Sequence, residues 1–193
     1  MKKAIIIVTS VVIALLVALG VFIYWCFGTR EFISHDIEKY ETLIKHFDFL
    51  PSLEDLGEYE DVYYKYFERQ LGALFESHAY TLRVVYNEDE FIKQKNIIEE
   101  NYSFRETVKD LRGDDLVERK TSFTIDTFEF RMLSVDSVSD YGMMYPQQFV
   151  YIGVSDELID IAYVFYDNTD LDIIGSSYEE FLIEECGWET END

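Results

Sequence analysis

The sequence predicts an α+β fold: a mostly antiparallel sheet of about five or six strands with helices on one face, preceded by one transmembrane helix. Three observations carry that expectation. An uncharged run opens the chain, short segments rich in β-branched and aromatic residues recur between turn signals, and helix-capping patterns stand at intervals among them. The length of 193 residues accommodates one ordinary domain and an appendage, so the division is 1–30 for a cytoplasmic tip and anchor and 31–193 for a single acidic domain.

Ala4 to Phe27 carries no charge over 24 residues and is bounded by Lys2-Lys3 and Arg30. At 1.5 Å per residue a helix of that length reaches about 36 Å, enough for a hydrocarbon core of about 30 Å. Tyr24 and Trp25 suit the aromatic belt at the membrane interface. The competing reading is a cleaved signal peptide using Ala18-Leu19-Gly20, but the apolar run continues past that site to Phe27, longer than a typical signal core. The expected location is the cell membrane, spanned once. Lys2, Lys3 and the terminal amine favour a cytoplasmic N-terminus, which leaves the domain extracytoplasmic.

Glu31 to Phe47 reads as the first helix of the domain, because Ile33, Ile37, Tyr40, Ile44 and Phe47 form one stripe. The stripe is also a short heptad seam, which makes residues 31–47 a candidate homo-oligomer contact. Leu50-Pro51-Ser52 ends the helix, and Leu53 to Glu60 is an acidic loop. Asp61 to Arg69 is a strand, a turn falls near Gly72, and Ala79 to Tyr86 closes a second strand with Tyr80, Leu82, Val84 and Tyr86 on one face. Asn87 caps the next helix, with Glu90 placed to reach back to it.

Arg105 to Lys120 is charged and interrupted by Gly113, a short helix or loop. Four strands follow, over Thr121 to Ile125, Phe128 to Val135, Phe149 to Val154 and Ile159 to Tyr166, with tight turns at Asp126-Thr127 and Ser155-Asp156-Glu157. Ser177 and Glu180 form a capping box for a last helix ending at Gly187.

Composition limits function. After Arg30, 13 of the 16 basic residues remain against all 39 acids, a balance of −26. Such a domain repels phosphate backbones, so nucleic acid is excluded as a partner, and so is docking on anionic lipid. Cys26 and Cys186 make no disulfide framework. His35, His46 and His78 match no metal-site spacing, and the first two would stand about 16 Å apart on one helix. Gly153-Val154-Ser155-Asp156-Glu157 lacks the second glycine of a nucleophile elbow. Dinucleotide and phosphate glycine loops are missing, and no cofactor is expected.

One metal pattern stands out. Asn168, Asp170, Asp172 and Glu179 place oxygen ligands at the first, third, fifth and twelfth positions of a Ca²⁺ loop, although Ile173 occupies the position of the turn-forming glycine. An Asp/Asn-rich turn explains the same residues without Ca²⁺. Tyr63, Tyr64, Tyr66, Tyr80 and Tyr86 all belong to one predicted hairpin and can form an aromatic face for a sugar or peptide. The function expected is a membrane-tethered, extracytoplasmic binding or interaction module. The alternatives are a hydrolase using paired carboxylates, which needs no local motif, and an accessory subunit of a membrane complex.

Overall fold

The computed structural model describes the backbone of residues 2–47, 49–72, 75–108, 120–135, 147–168, 179, 182–183 and 188, and the side chains of all these but 2–8, 26, 27, 46, 71, 75, 147 and 168. Helix α1 (Lys2–Phe27) opens the chain. Among the described residues no helix is long and apolar enough to cross a membrane, so the transmembrane helix expected before the domain is not supported there.

The domain is a mostly antiparallel α+β structure with a seven-stranded sheet. The strands are β1 (Thr29–Ser34), β2 (Asp61–Leu71), β3 (Phe75–Val85), β4 (Ser122–Ile125), β5 (Phe128–Met132), β6 (Gln147–Ser155) and β7 (Asp160–Asn168). Their order across the sheet is β1-β2-β3-β7-β6-β5-β4, and every neighbouring pair is antiparallel. Helices α2 (Ile37–Leu43) and α3 (Glu88–Asn101) lie in the first half of the domain.

The predicted hairpin is the β2–β3 pair, joined through Gly72 at φ +66, a left-handed conformation that glycine adopts without steric cost. The turns expected at Asp126-Thr127 and after Ser155 are also in place, and they join β4 to β5 and β6 to β7. Asn87 caps α3 by accepting from the Glu90 amide at 3.0 Å. Glu90 does not close the box as expected: its carboxylate accepts from Lys93 and Gln94 instead. The predicted last helix lies largely outside the described residues, as does most of 105–120.

The first helix expected in the domain also fails. Residues 31–47 are not a single helix: 29–34 form the edge strand β1 on β2, Asp36 caps α2 by accepting from the Glu38 amide, and a 3-10 turn over Ile44–His46 follows. The heptad seam is therefore broken between Ile33, half-exposed on the strand, and Ile37 on the helix. A strand with six pairing positions satisfies the outer edge of β2, which a helix there would leave open.

Core residues divide by strand alternation. Ile161, Tyr163 and Phe165 of β7 face a cluster with Tyr40 of α2, Phe91 and Ile98 of α3, and Leu50 and Leu56 of the loop that leads into β2. Ala162, Val164 and Tyr166 face the other way, toward Phe67, Phe130, Phe149, Val108, Leu182 and Trp188. Helices α2 and α3 thus share one face, as expected, but the opposite face is covered as well. On that second face Asp160, 1% exposed, accepts from Arg83 Nε at 2.6 Å, and the guanidinium lies over the rings of Tyr63 and Phe128.

Gly153 sets a tight contact in the same layer. A Cβ there would stand 2.5 Å from Cε1 of Phe130, whose ring is fully buried. Gly153→Ala is expected to destabilise the fold by about 1–3 kcal/mol through overpacking. Adding Phe130→Leu should make the double variant less destabilised than the two single losses combined, as measured by urea unfolding. Strict additivity would show that the ring is not what the new methyl meets.

Candidate functional site

A chemically varied surface lies where α2 meets the outer strands. A cleft of about 560 Å³ opens there, within the range of small-molecule sites. Asp36, Glu38, Lys39, Thr42 and Leu43 form one wall, and Tyr64, Tyr66 and Tyr80 form the other.

Strand geometry explains the tyrosine wall. Side chains two apart share a face, which puts Tyr64 and Tyr66 together, and the hairpin register sets Tyr66 opposite Tyr80. The rings continue as a ladder. Phe32 of β1 meets Tyr66 edge-on at 6.1 Å, Tyr66 meets Tyr80 at 5.1 Å, and Tyr80 stacks on Phe165 at 5.7 Å. Tyr40 of α2 packs edge-on to Tyr64 and donates its hydroxyl hydrogen to the Pro51 carbonyl at 2.6 Å, which ties the helix wall to the sheet.

A polar chain runs along the sheet from the same ladder. The Tyr66 hydroxyl lies 2.7 Å from Glu68 Oε2 and 2.8 Å from His78 Nδ1, and Gln70 donates to the other Glu68 oxygen at 2.6 Å. His78 Nε2 is 3.7 Å from Glu76. A phenol has one hydrogen, so when it donates to the Glu68 carboxylate it accepts from His78, which places the histidine proton on Nδ1. Lys39 is already engaged: it donates to Ser34 Oγ at 3.2 Å and its ammonium lies over the Phe32 ring at 5.1 Å.

Burial, and second the Asp36 charge, raise the Tyr64 phenol to about 12. Tyr66 is held far above the ordinary tyrosine range by burial first, then by its hydrogen bond to Glu68. Tyr80 is raised well above that range by burial and then by Tyr64 and Asp167. All three are therefore neutral at any physiological pH. They offer flat apolar faces and hydroxyls that donate and accept; they do not serve as bases.

The five tyrosines singled out from the sequence separate in space. Tyr64, Tyr66 and Tyr80 line the cleft, Tyr63 lies on the opposite face beneath Arg83, and Tyr86 is buried in the core. His78 joins the site through its cross-strand position opposite Glu68, which only the hairpin register reveals. The histidines expected on one helix do not share one: His35 precedes α2 and its Nδ1 meets the Tyr64 carbonyl at 3.1 Å, while His46 lies in the 3-10 turn.

Of the candidate Ca²⁺ loop, Asn168 is the last residue of β7 and Glu179 is exposed in a helical position, whereas Asp170 and Asp172 lie outside the described residues. Among the described residues no group of three or more His, Cys, Asp or Glu is placed to hold a metal ion. Ser155, rejected as a nucleophile from its sequence context, is fully buried at a strand-to-strand turn and donates to Thr127 Oγ1 at 2.8 Å. Comparison of the chain with protein-family models, with curated proteins and with solved structures returned no match.

The raised phenols give the fold a specific alkaline limit. Below about pH 10 the phenols are neutral in folded and unfolded chains alike. Above it the unfolded chain ionises first, so stability falls as pH rises toward the folded values. A titration followed at 295 nm should show a step near 12 that disappears in Tyr64→Phe. Reversible ionisation of all 15 tyrosines near pH 10 would contradict the burial described for the cleft.

Proposed function

We propose that this protein is a membrane-tethered, extracytoplasmic binding module that takes an uncharged ligand, a sugar ring or a peptide segment, against Tyr64, Tyr66 and Tyr80. The observation that carries the reading is the cleft itself: three neutral phenols on one wall, facing a short polar helix across a space of ligand size. Aromatic faces stack on the C–H surfaces of sugars and on peptide side chains, and half-buried hydroxyls set orientation by hydrogen bonds. A net charge of −23 disfavours anionic ligands throughout.

The tether is assigned to residues 4–27. The uncharged run extends to Ala4 and Phe27, beyond the described side chains of α1, and those between Thr9 and Trp25 are exposed throughout. An exposed apolar helix is unfavourable in water and favourable in lipid. Lys2 and Lys3 assign the N-terminus to the cytoplasm. In intact cells a Lys120→Cys variant lacking Cys26 and Cys186 should react with a membrane-impermeant maleimide before lysis. Reaction only after lysis would put the domain in the cytoplasm.

The cleft is tested with the full chain in lipid nanodiscs on arrays of neutral oligosaccharides and uncharged peptides. Retained probes should lose at least tenfold in affinity with Tyr66→Ala combined with Tyr80→Ala, and less with Tyr66→Phe, which keeps the ring and removes only the hydroxyl. Equal retention by the native chain and a double variant that still melts cooperatively would rule the cleft out as the binding surface.

A further inference from the structure

The sheet face that carries the tyrosine wall continues in a second, polar row. The first row runs Ser34, Tyr66, Tyr80, Phe165 and Val150 across β1, β2, β3, β7 and β6; two positions along each strand stand Phe32, Glu68, His78, Asp167 and Gln148. Side chains two apart share a face, so the two rows lie edge to edge. They are also bonded together, because the Tyr66 hydroxyl reaches Glu68 Oε2 at 2.7 Å and His78 Nδ1 at 2.8 Å. Burial first, then Tyr64, Asp167, Glu68 and Glu76, raise the Tyr80 phenol, which sets its hydroxyl near these carboxylates. Glu68, His78, Asp167 and Gln148 are only partly buried, so the row is open to solvent.

This row is rich in hydrogen-bond acceptors. A carboxylate has room for about four hydrogen bonds. Among the described residues Asp167 accepts one, from Gln148 Nε2 at 3.1 Å, and Glu68 accepts two, from Tyr66 and Gln70. With the His78 proton on Nδ1, its Nε2 is an acceptor as well. From Glu68 on β2 to Gln148 on β6 is three strand spacings, about 14 Å. A single ammonium presents its donors at one point and cannot use acceptors strung over that length. An extended peptide carries one carbonyl for each N–H, and an acceptor row leaves those carbonyls unmet. Linked sugar rings suit both rows: they spread hydroxyl donors over a length and offer C–H faces to the neighbouring phenols. A neutral sugar also avoids the repulsion that a net charge of −23 imposes on anions.

We infer that the cleft and the polar row form one carbohydrate site, in which a neutral oligosaccharide lays its C–H faces on Tyr66 and Tyr80 and donates hydroxyl hydrogens to Glu68, His78 Nε2 and Asp167. The inference rests on the reading of the tyrosine cleft as a binding site and selects sugar over peptide as its ligand.

The test uses the full chain in phosphatidylcholine nanodiscs, titrated calorimetrically with neutral oligomers of glucose, of mannose and of N-acetylglucosamine, from one ring upward, and with uncharged and lysine-rich peptides. Affinity for one of the sugar series should rise with length as the row is reached. Asp167→Asn should weaken the longer oligomers about tenfold, the loss of one hydrogen bond to a charged group, and leave the single ring unchanged. Gln148→Ala, at a partly exposed site, gives a second reading in the same direction should Asp167→Asn lose its cooperative melt. Oligomers lost with Tyr66→Ala and Tyr80→Ala but held equally by both row variants would overturn the polar row and leave the cleft standing. Retention of peptides alone, uncharged or lysine-rich, again lost with the tyrosine pair, would overturn the sugar and leave the cleft standing. No probe held by the native chain would overturn the cleft and the row together.

Discussion

Six consecutive residues of β7, Ile161 to Tyr166, are buried, and no strand can bury both faces unless layers are built on both sides of it. That requirement organises the molecule. Strands β3 and β6 flank β7 through nine paired positions each. On one side the covering layer is α2, the loop through Leu56, and α3; on the other, Val108, Leu182 and Trp188 close over the phenylalanines of β5 and β6. Space in this second layer is tight enough that Gly153 serves as the seat for the Phe130 ring.

Coverage weakens toward β1 and β2, and the cleft arises there. Tyr163 and Phe165 of β7 are buried, yet Tyr66 and Tyr80, in the row that continues Phe165 outward, are only partly so. Helix α2 is seven residues long, about 10 Å, and spans too little of the sheet to bury that whole row. The phenols are desolvated enough to stay neutral and open enough to be reached. Hydrogen bonds to Glu68 and His78 hold the Tyr66 ring in one orientation, so that part of the wall is preorganised before anything binds.

The sheet was largely legible in the sequence because its cues are local. Alternation in Tyr80, Leu82, Val84 and Tyr86, the turn residues at Asp126 and after Ser155, and the Asn87 cap each act within a few positions. β1 was not legible for the converse reason. Ile33 continues the periodic stripe of Ile37, Tyr40, Ile44 and Phe47, so a helical period runs unbroken through a segment whose first four residues, 31–34, are strand. What decides the matter is the open edge of β2, a contact with residues 66 to 71, more than thirty positions away. Asp36 was the one local sign, a cap side chain two residues before the Glu38 amide it accepts from. The site divides in the same way: the tyrosines were visible as a cluster, but sorting Tyr63 and Tyr86 out of the cleft and bringing His78 in requires the register.

The register also sets where a ligand must come from, if α1 is the anchor proposed. Ser34 of β1 pairs with Tyr66, which pairs with Tyr80, so the cleft row lies five positions along β1 from Thr29. Five positions of strand are about 17 Å. Since Thr29 follows the end of α1 by two residues, and Tyr64 lies seven positions along β2 from Leu71, the partner of Thr29, the tyrosine wall lies within about 32 Å of the membrane surface however the sheet is tilted. A ligand reaching it is either small and diffusing or part of something itself held close to the membrane. Such a tether would confine both partners to one layer, which raises effective concentration and lets a shallow cleft bind with modest intrinsic affinity.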